Sequence, residues 1–173
     1  MTSASKFLEA MRHGRTSGDN GPQSAADYWT GQQKLWVTDL QELRASIRGW
    51  LEPLTEEKAV KVENADFATT EPDLGHYEAP GLTIEILGDT HKRVDLRPRG
   101  LRVVGVVETG GTRVVGASGR IDLECELRRE IILRFRDNNT TRWCSFAGGK
   151  RVDVDEATFF DLLSRVTNIR SDP

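Results

Sequence analysis

The 173-residue chain predicts an α+β fold: a curved antiparallel β-meander of roughly six to eight strands, packed by a long N-terminal helix and a C-terminal helix. Three observations predict it. Apolar residues recur at intervals of three and four between residues 25 and 54, the spacing of an amphipathic helix. From Leu82 the apolar period changes to two and turn residues recur regularly, as in consecutive hairpins. A second helical stripe, Phe159, Leu162, Leu163 and Val166, returns near the C-terminus.

Residues 3–12 predict a short helix, capped by Ser3 or Ser5, with Phe7, Leu8 and Met11 on one side. Residues 13–24, HGRTSGDNGPQS, have the Gly, Ser and Asn content of a mobile linker. The expected division is therefore a helix and linker over 1–24 and one α+β domain over 25–173. The long helix carries Trp29, Trp36, Leu40, Leu43, Ile47, Trp50 and Leu54, interrupted by Gln33. Pro53 is expected to stop it near Trp50–Glu52. Trp36 and Trp50 belong to the expected core. Trp29 sits beside Gln32, Gln33 and the linker, so it is the indole expected to touch a partner.

Val60, Val62 and Phe67 suggest a first strand, and residues 70–81, with Pro72, Gly75, Pro80 and Gly81, suggest a loop. Strands follow at LTIEIL and KRVDLR. The repeated tetrapeptide Arg-Val-Val-Gly at 102–105 and 113–116 flanks Gly110-Gly111 and predicts a hairpin. RIDLECEL, IILRFR and TRWCSF continue the meander, with bends expected at Gly105, Gly116 and Gly119. Asp153 and Glu156 have capping-box spacing at the head of a helix over 154–167.

Composition excludes several function classes. No apolar run approaches the roughly 20 residues that span a bilayer, and MTSASKFLEAMRHGR lacks the apolar block of a secretory signal; the expected location is the cytoplasm. Cys125 and Cys144 lie in strand-like segments and are expected to be buried, reduced thiols. His13, His76 and His91 have no metal-ligand spacing with either cysteine. Neither metal nor cofactor is expected. The net charge of −3 averages −7 over residues 1–90, +7 over 91–151 and −3 over 152–173.

Four stretches bear on chemistry. VVGASGR at 114–120 has a glycine-rich turn, but a strand follows it instead of the helix N-terminus that phosphate binding uses. GRIDLECELRREIILRFR at 119–136 is similar to the sheet hairpin of restriction-endonuclease-like nucleases. That resemblance implies a divalent metal held by carboxylates, with Asp122 as the first acid. The chain departs from the pattern at Arg134 and Arg136, where Glu and Lys would stand. The residues themselves predict a cross-strand ion-pair ladder, Glu124 opposite Arg134 and Asp122 opposite Arg136, if the hairpin turns through residues 128–130. The arginine-rich middle, including Arg97, Arg99, Arg102, Arg120 and Arg142, could grip phosphates or an acidic partner. His76-Tyr77 is the best polar–aromatic pair for a small ligand. No GxSxG pentapeptide or catalytic set is present.

The function expected from this pattern is a non-enzymatic, cytoplasmic protein–protein interaction module, such as a bacterial adaptor, antitoxin or immunity protein. Another protein is the expected partner, through Trp29 or the basic residues, and a homodimer through the N-terminal helix is a further expectation. The second reading is a nucleic-acid-binding or degenerate nuclease-like domain using the basic middle. A third is a ligand-binding or hydrolytic half-barrel.

Overall fold

The computed structural model describes residues 24–88, 91–103, 107–109 and 112–169. The expected helix at 3–12, the linker up to residue 23, any dimer contact through that helix, and Gly105 lie outside the described residues.

Helix α1 spans Ala25–Glu56. The Ser24 hydroxyl caps it, accepting from the Asp27 N–H at 3.1 Å. Trp36, Asp39, Leu40, Leu43, Ile47 and Leu51 form its buried face. Pro53 does not stop the helix where expected; α1 continues through it to Glu56. Proline removes one backbone donor and frees a carbonyl one turn back. Gly49 and Pro53 both lie on the exposed side, where water can take that carbonyl. The helix ends at Lys58, in the left-handed region at φ 58°, with the Ala59 N–H bonded to Leu54 O at 2.9 Å.

Nine strands follow in the described residues: β1 (Val60–Glu71), β2 (Gly75–Ile86), β3 (Lys92–Gly100), β4 (Val107–Thr109), β5 (Thr112–Val114), β6 (Arg120–Cys125), β7 (Arg128–Asp137), β8 (Thr140–Ala147) and β9 (Lys150–Asp153). Seven form one open antiparallel sheet in the order β1-β2-β3-β6-β7-β8-β9, and β4–β5 form a separate ribbon. The ribbon pairs the two arms of the expected hairpin, with Thr109 opposite Thr112; Gly110 and Gly111 between them lie outside the described residues. The sheet curls. Cα atoms of β1 and β3 approach within 8 Å across β2, where a flat sheet would hold them about 9.6 Å apart.

The expected loop at 70–81 is instead the turn and second strand of a long hairpin, Glu71 pairing with Gly75 and Pro80 with Asp66. Proline is tolerated there because β2 pairs with β3 only from Leu82 onward, so no ladder bond on that side needs a Pro80 N–H.

Helix α2 spans Glu156–Thr167, and its cap is Asp155, accepting from the Thr158 N–H at 2.8 Å, not Asp153. Asp153 is engaged elsewhere, by Arg142.

The two sheet faces differ. Leu82, Ile84, Val94, Leu96, Ile121, Leu123 and Ile132 face the helices and form the main core with Trp36, Ile47, Leu51 and Phe159. Trp50 is half-buried on the same core, its ring 5.7 Å from that of Phe159. Gly119 lies directly under Trp36: a Cβ there would sit 2.3 Å from the ring. On the opposite face, Val114 and Ala117 of the ribbon segment, with Val103, cover Ile131, Leu133, Phe135 and Phe146 as a second, smaller cluster.

Candidate functional site

The face of β3 and β6 turned away from the helices carries a dense ion-pair network. The centre is Asp122, only 1 % exposed. Its carboxylate accepts from Arg99 Nε at 2.9 Å and Arg120 Nε at 2.7 Å, and Arg129 lies 3.7 Å away. Arg99 also bonds Glu124. Arg97 lies 3.3 Å from Glu124 and 3.8 Å from Asp95, with its guanidinium 4.5 Å over the Phe67 ring. Desolvation pulls the Arg99 guanidinium down, but the Asp122 and Glu124 carboxylates outweigh it and raise its pKa.

The expected ladder does not form. The hairpin turns through the two residues Glu126-Leu127 instead of residues 128–130, a register shift of five, so Asp122 faces Ile131 in place of Arg136 and Glu124 faces Arg129 in place of Arg134. That register sends Arg134 and Arg136 to the helix face and Asp122 and Glu124 to the outer face. The shift had no turn signature to announce it: Glu126 adopts φ 54° without being Gly, Asn or Asp.

On the helix face Arg134 is 1 % exposed. Its Nη1 donates to Asp39 at 2.8 Å, its Nε donates to the Ser118 carbonyl at 2.9 Å, and it lies 4.9 Å over the Trp36 ring. Arg136 and the Thr141 hydroxyl each reach the same Asp39 oxygen at 3.1 Å. Burial pushes the Arg134 pKa below its ordinary value, against the pull of Asp39. This node pins α1 to β7 and β8. Sequence reasoning missed Asp39, although a carboxylate set within the apolar stripe of α1 was the available signal.

The residues expected to bind a partner lie apart. Arg97, Arg99 and Arg120 are in the outer network. Arg142 is held by both carboxylate oxygens of Asp153 at 2.8 and 2.7 Å, and Arg102 pairs with Asp73. Each of these five arginines therefore already has a carboxylate of its own chain. Arg102 also lies 5.2 Å over Trp29, whose ring meets Tyr28 edge-on at 5.2 Å. Trp29 is half-buried at the margin of the core, while Tyr28 is 48 % exposed and Leu35 37 %.

The two other candidates fall out differently. His76 and Tyr77 engage separate partners: His76 Nδ1 meets the Thr70 hydroxyl at 2.7 Å, and the Tyr77 hydroxyl donates to Glu71. Cys125 and Cys144 are buried and unbridged. Burial, helped by Asp153, pushes the Cys144 thiol up to about 11, so it is no ready nucleophile. Among the described residues, no three His, Cys, Asp or Glu side chains converge as a metal-ligand set, and three guanidinium groups stand around the Asp122 carboxylate that the nuclease resemblance assigns to metal. Cavities also lie among the described residues. One, about 480 Å³, is an apolar groove lined by Leu54, Val60, Ile86, Phe160, Leu163 and Ile169. Another, about 470 Å³, is basic and lies beside β7, β8 and β9.

Removing the Asp122 charge should destabilise the fold moderately. Asp122→Asn keeps the shape but weakens three charge-assisted contacts, an expected loss of about 1–3 kcal/mol. Arg99 and Arg129 are solvent-accessible, so they re-solvate and limit the loss. Urea unfolding of the variant measures it; a loss above about 5 kcal/mol would contradict this account.

No family model, no curated protein and no solved structure matches the chain. Among the described residues no helix is long and apolar enough to cross a membrane.

Proposed function

We propose that this protein is a non-enzymatic interaction module of the bacterial adaptor, antitoxin or immunity type, working in the cytoplasm and engaging a partner protein through the leading turns of α1. The observation that carries the proposal is the Tyr28–Trp29–Arg102 cluster. Residues 25–35 contribute no fully buried side chain, yet they hold an edge-to-face aromatic pair with an arginine over the indole. Tyr, Trp and Arg dominate binding hot spots because they combine large apolar area with directed hydrogen bonds. Here they are ordered by one another before any partner arrives, which lowers the entropy lost on binding.

The nucleic-acid reading is the weaker one. Arg97, Arg99, Arg102, Arg120 and Arg142 would each have to exchange a carboxylate of this chain for a phosphate. Such an exchange removes most of the electrostatic gain that drives non-specific binding.

Affinity capture from the native host, with the wild-type chain beside Tyr28→Ala and Trp29→Ala, tests the proposal. The expected result is one stoichiometric protein partner with the wild type and a loss of at least about tenfold in affinity for both variants, the scale of a hot-spot residue. Tyr28→Ala is a surface change and should leave the unfolding midpoint within about 2 °C. Recovery of nucleic acid alone, or equal capture by both variants, refutes it.

A further inference from the structure

One end of the molecule carries an apolar projection beside an apolar groove. The projection is Leu127, at the tip of the β6–β7 turn, with its side chain wholly exposed. Tight turns favour Gly, Asn and Asp, and Glu126 before it is held at φ 54°, a region that a side chain disfavours. A strained turn that holds an aliphatic group in water costs the single chain twice. The groove, about 480 Å³, has Leu54 of α1 on one side and Phe160, Leu163 and Ile169 on another, with Val60 and Ile86 from the sheet. The two features adjoin. Arg128, next to Leu127, donates to the Arg165 carbonyl at 3.4 Å. Arg165 sits in the last turn of α2, where Leu163, Ser164 and Thr167 line the groove.

We propose that this end is a self-association surface: two copies meet across a two-fold axis, and Leu127 of each enters the groove of the other. A two-fold contact needs one patch that complements itself, and here projection and recess lie side by side on one chain. Their charges also match. Glu126-Leu127-Arg128 reads negative, apolar, positive. The groove reads positive, apolar, negative: Lys92 shares a face with Ile86, its cross-strand partner, and Glu56 and Glu57 outnumber Lys58 at the end of α1. Glu57, Lys92, Glu126 and Arg128 make no ion pair among the described residues. A small-molecule ligand fits the groove less well, because such sites add a few placed polar groups to an apolar wall. Here Ser164 spends its hydroxyl proton on the Ile169 carbonyl, and Thr167 spends its own on the Leu163 carbonyl. The Tyr28–Trp29–Arg102 cluster lies at the other end of α1, with about 39 Å of helix between Tyr28 and Leu54 at about 1.5 Å per residue. Self-association therefore stands or falls separately from the proposed contact with a partner protein.

Sedimentation velocity of the full chain from about 1 to 300 µM, a range that brackets weak homodimers, provides the test. The wild type is expected to shift from monomer to dimer across it. Leu127→Asp and Ile169→Glu should each weaken the dimer by at least about tenfold, the scale of an interface anchor. Both side chains are exposed, so the unfolding midpoints stay in place and a lost dimer reports the contact. Arg128→Glu alone should weaken association, and Arg128→Glu with Glu57→Arg should restore it, which a purely structural role of either residue does not predict. Tyr28→Ala should leave association unchanged. A monomer throughout the range overturns the proposal. So does a dimer that persists in both Leu127→Asp and Ile169→Glu, or one that Tyr28→Ala dissolves. Failure of the double variant to restore association overturns the charge pairing.

Discussion

An Asp39→Ala variant unfolds roughly 10 °C or more below the parent chain. Asp39 is 6 % exposed and accepts hydrogen bonds from Arg134, Arg136 and Thr141. Removing one partner of a buried ion pair costs about 3–5 kcal/mol, because the charge left behind can neither return to water nor find another partner. Arg134 is in that position: it is 1 % exposed, under Trp36. For a chain of this size each kcal/mol moves the midpoint by about 2–4 °C. The comparison with Asp122 decides whether this account is right. Both carboxylates are buried and both face several arginines, but those around Asp122 reach solvent and Arg134 does not. Asp39→Ala should therefore cost clearly more than Asp122→Asn in the same urea series. A double variant, Asp39→Leu with Arg134→Met, should regain much of the loss, since it replaces the charges with apolar groups of similar length. If Asp39→Ala costs under about 1 kcal/mol, the node is not the clamp described.

The second large effect is expected at Glu71. It is 5 % exposed, at the end of β1. Its carboxylate accepts from the Leu101 N–H at 3.1 Å, the Arg102 N–H at 2.8 Å and the Tyr77 hydroxyl. It thereby fastens the chain where β3 ends and the ribbon segment begins. The bulge between Pro98 and Gly100 turns the backbone toward it; Gly100, at φ 137°, brings its Cα so near that a Cβ would lie 2.9 Å from the Glu71 carboxyl carbon. Burial and this carboxylate both raise the Tyr77 pKa, so the phenol stays a donor. Glu71→Ala orphans two backbone donors at about 1–3 kcal/mol each, a total near 3 kcal/mol. Hydrogen exchange should quicken at Leu101 and Arg102 before it does in α1 or β6. Unchanged protection at those two amides would refute the fastening role.

The helices and the meander were legible because each rests on a period, and a period survives single exceptions. Trp36, Leu40, Leu43, Ile47 and Trp50 keep the helical spacing past Gly49, and Leu82, Ile84 and Ile86 alternate without interruption. What escaped depends on where backbone groups point. Pro53 is harmless on a wet helix face, and Pro80 beside an unpaired stretch; neither direction is written in the residue type. The β6–β7 register escaped because Glu126-Leu127 is an atypical turn. An error of that kind moves every side chain of one strand to the other face, and so Arg134 and Arg136 were placed with Asp122 instead of Asp39. The place of Trp29 at the margin of the core was recognisable from its polar neighbours. The ion pairs of Arg97, Arg99 and Arg120 were not, since they depend on β3 lying beside β6 across the inserted ribbon.

The clamp on α1 also sets a timetable for synthesis. Asp39 precedes Arg134, Arg136 and Thr141 by 95, 97 and 102 residues. At ribosomal speeds of about 5–20 residues per second, those partners are made roughly 5–20 s after Asp39. Throughout that interval the Asp39 carboxylate lacks all three of its partners, although β1 and β2, the strands that pack most on α1, are already made. Slowing translation before residue 134 should lengthen the time for which α1 is seated on the sheet by apolar contacts alone.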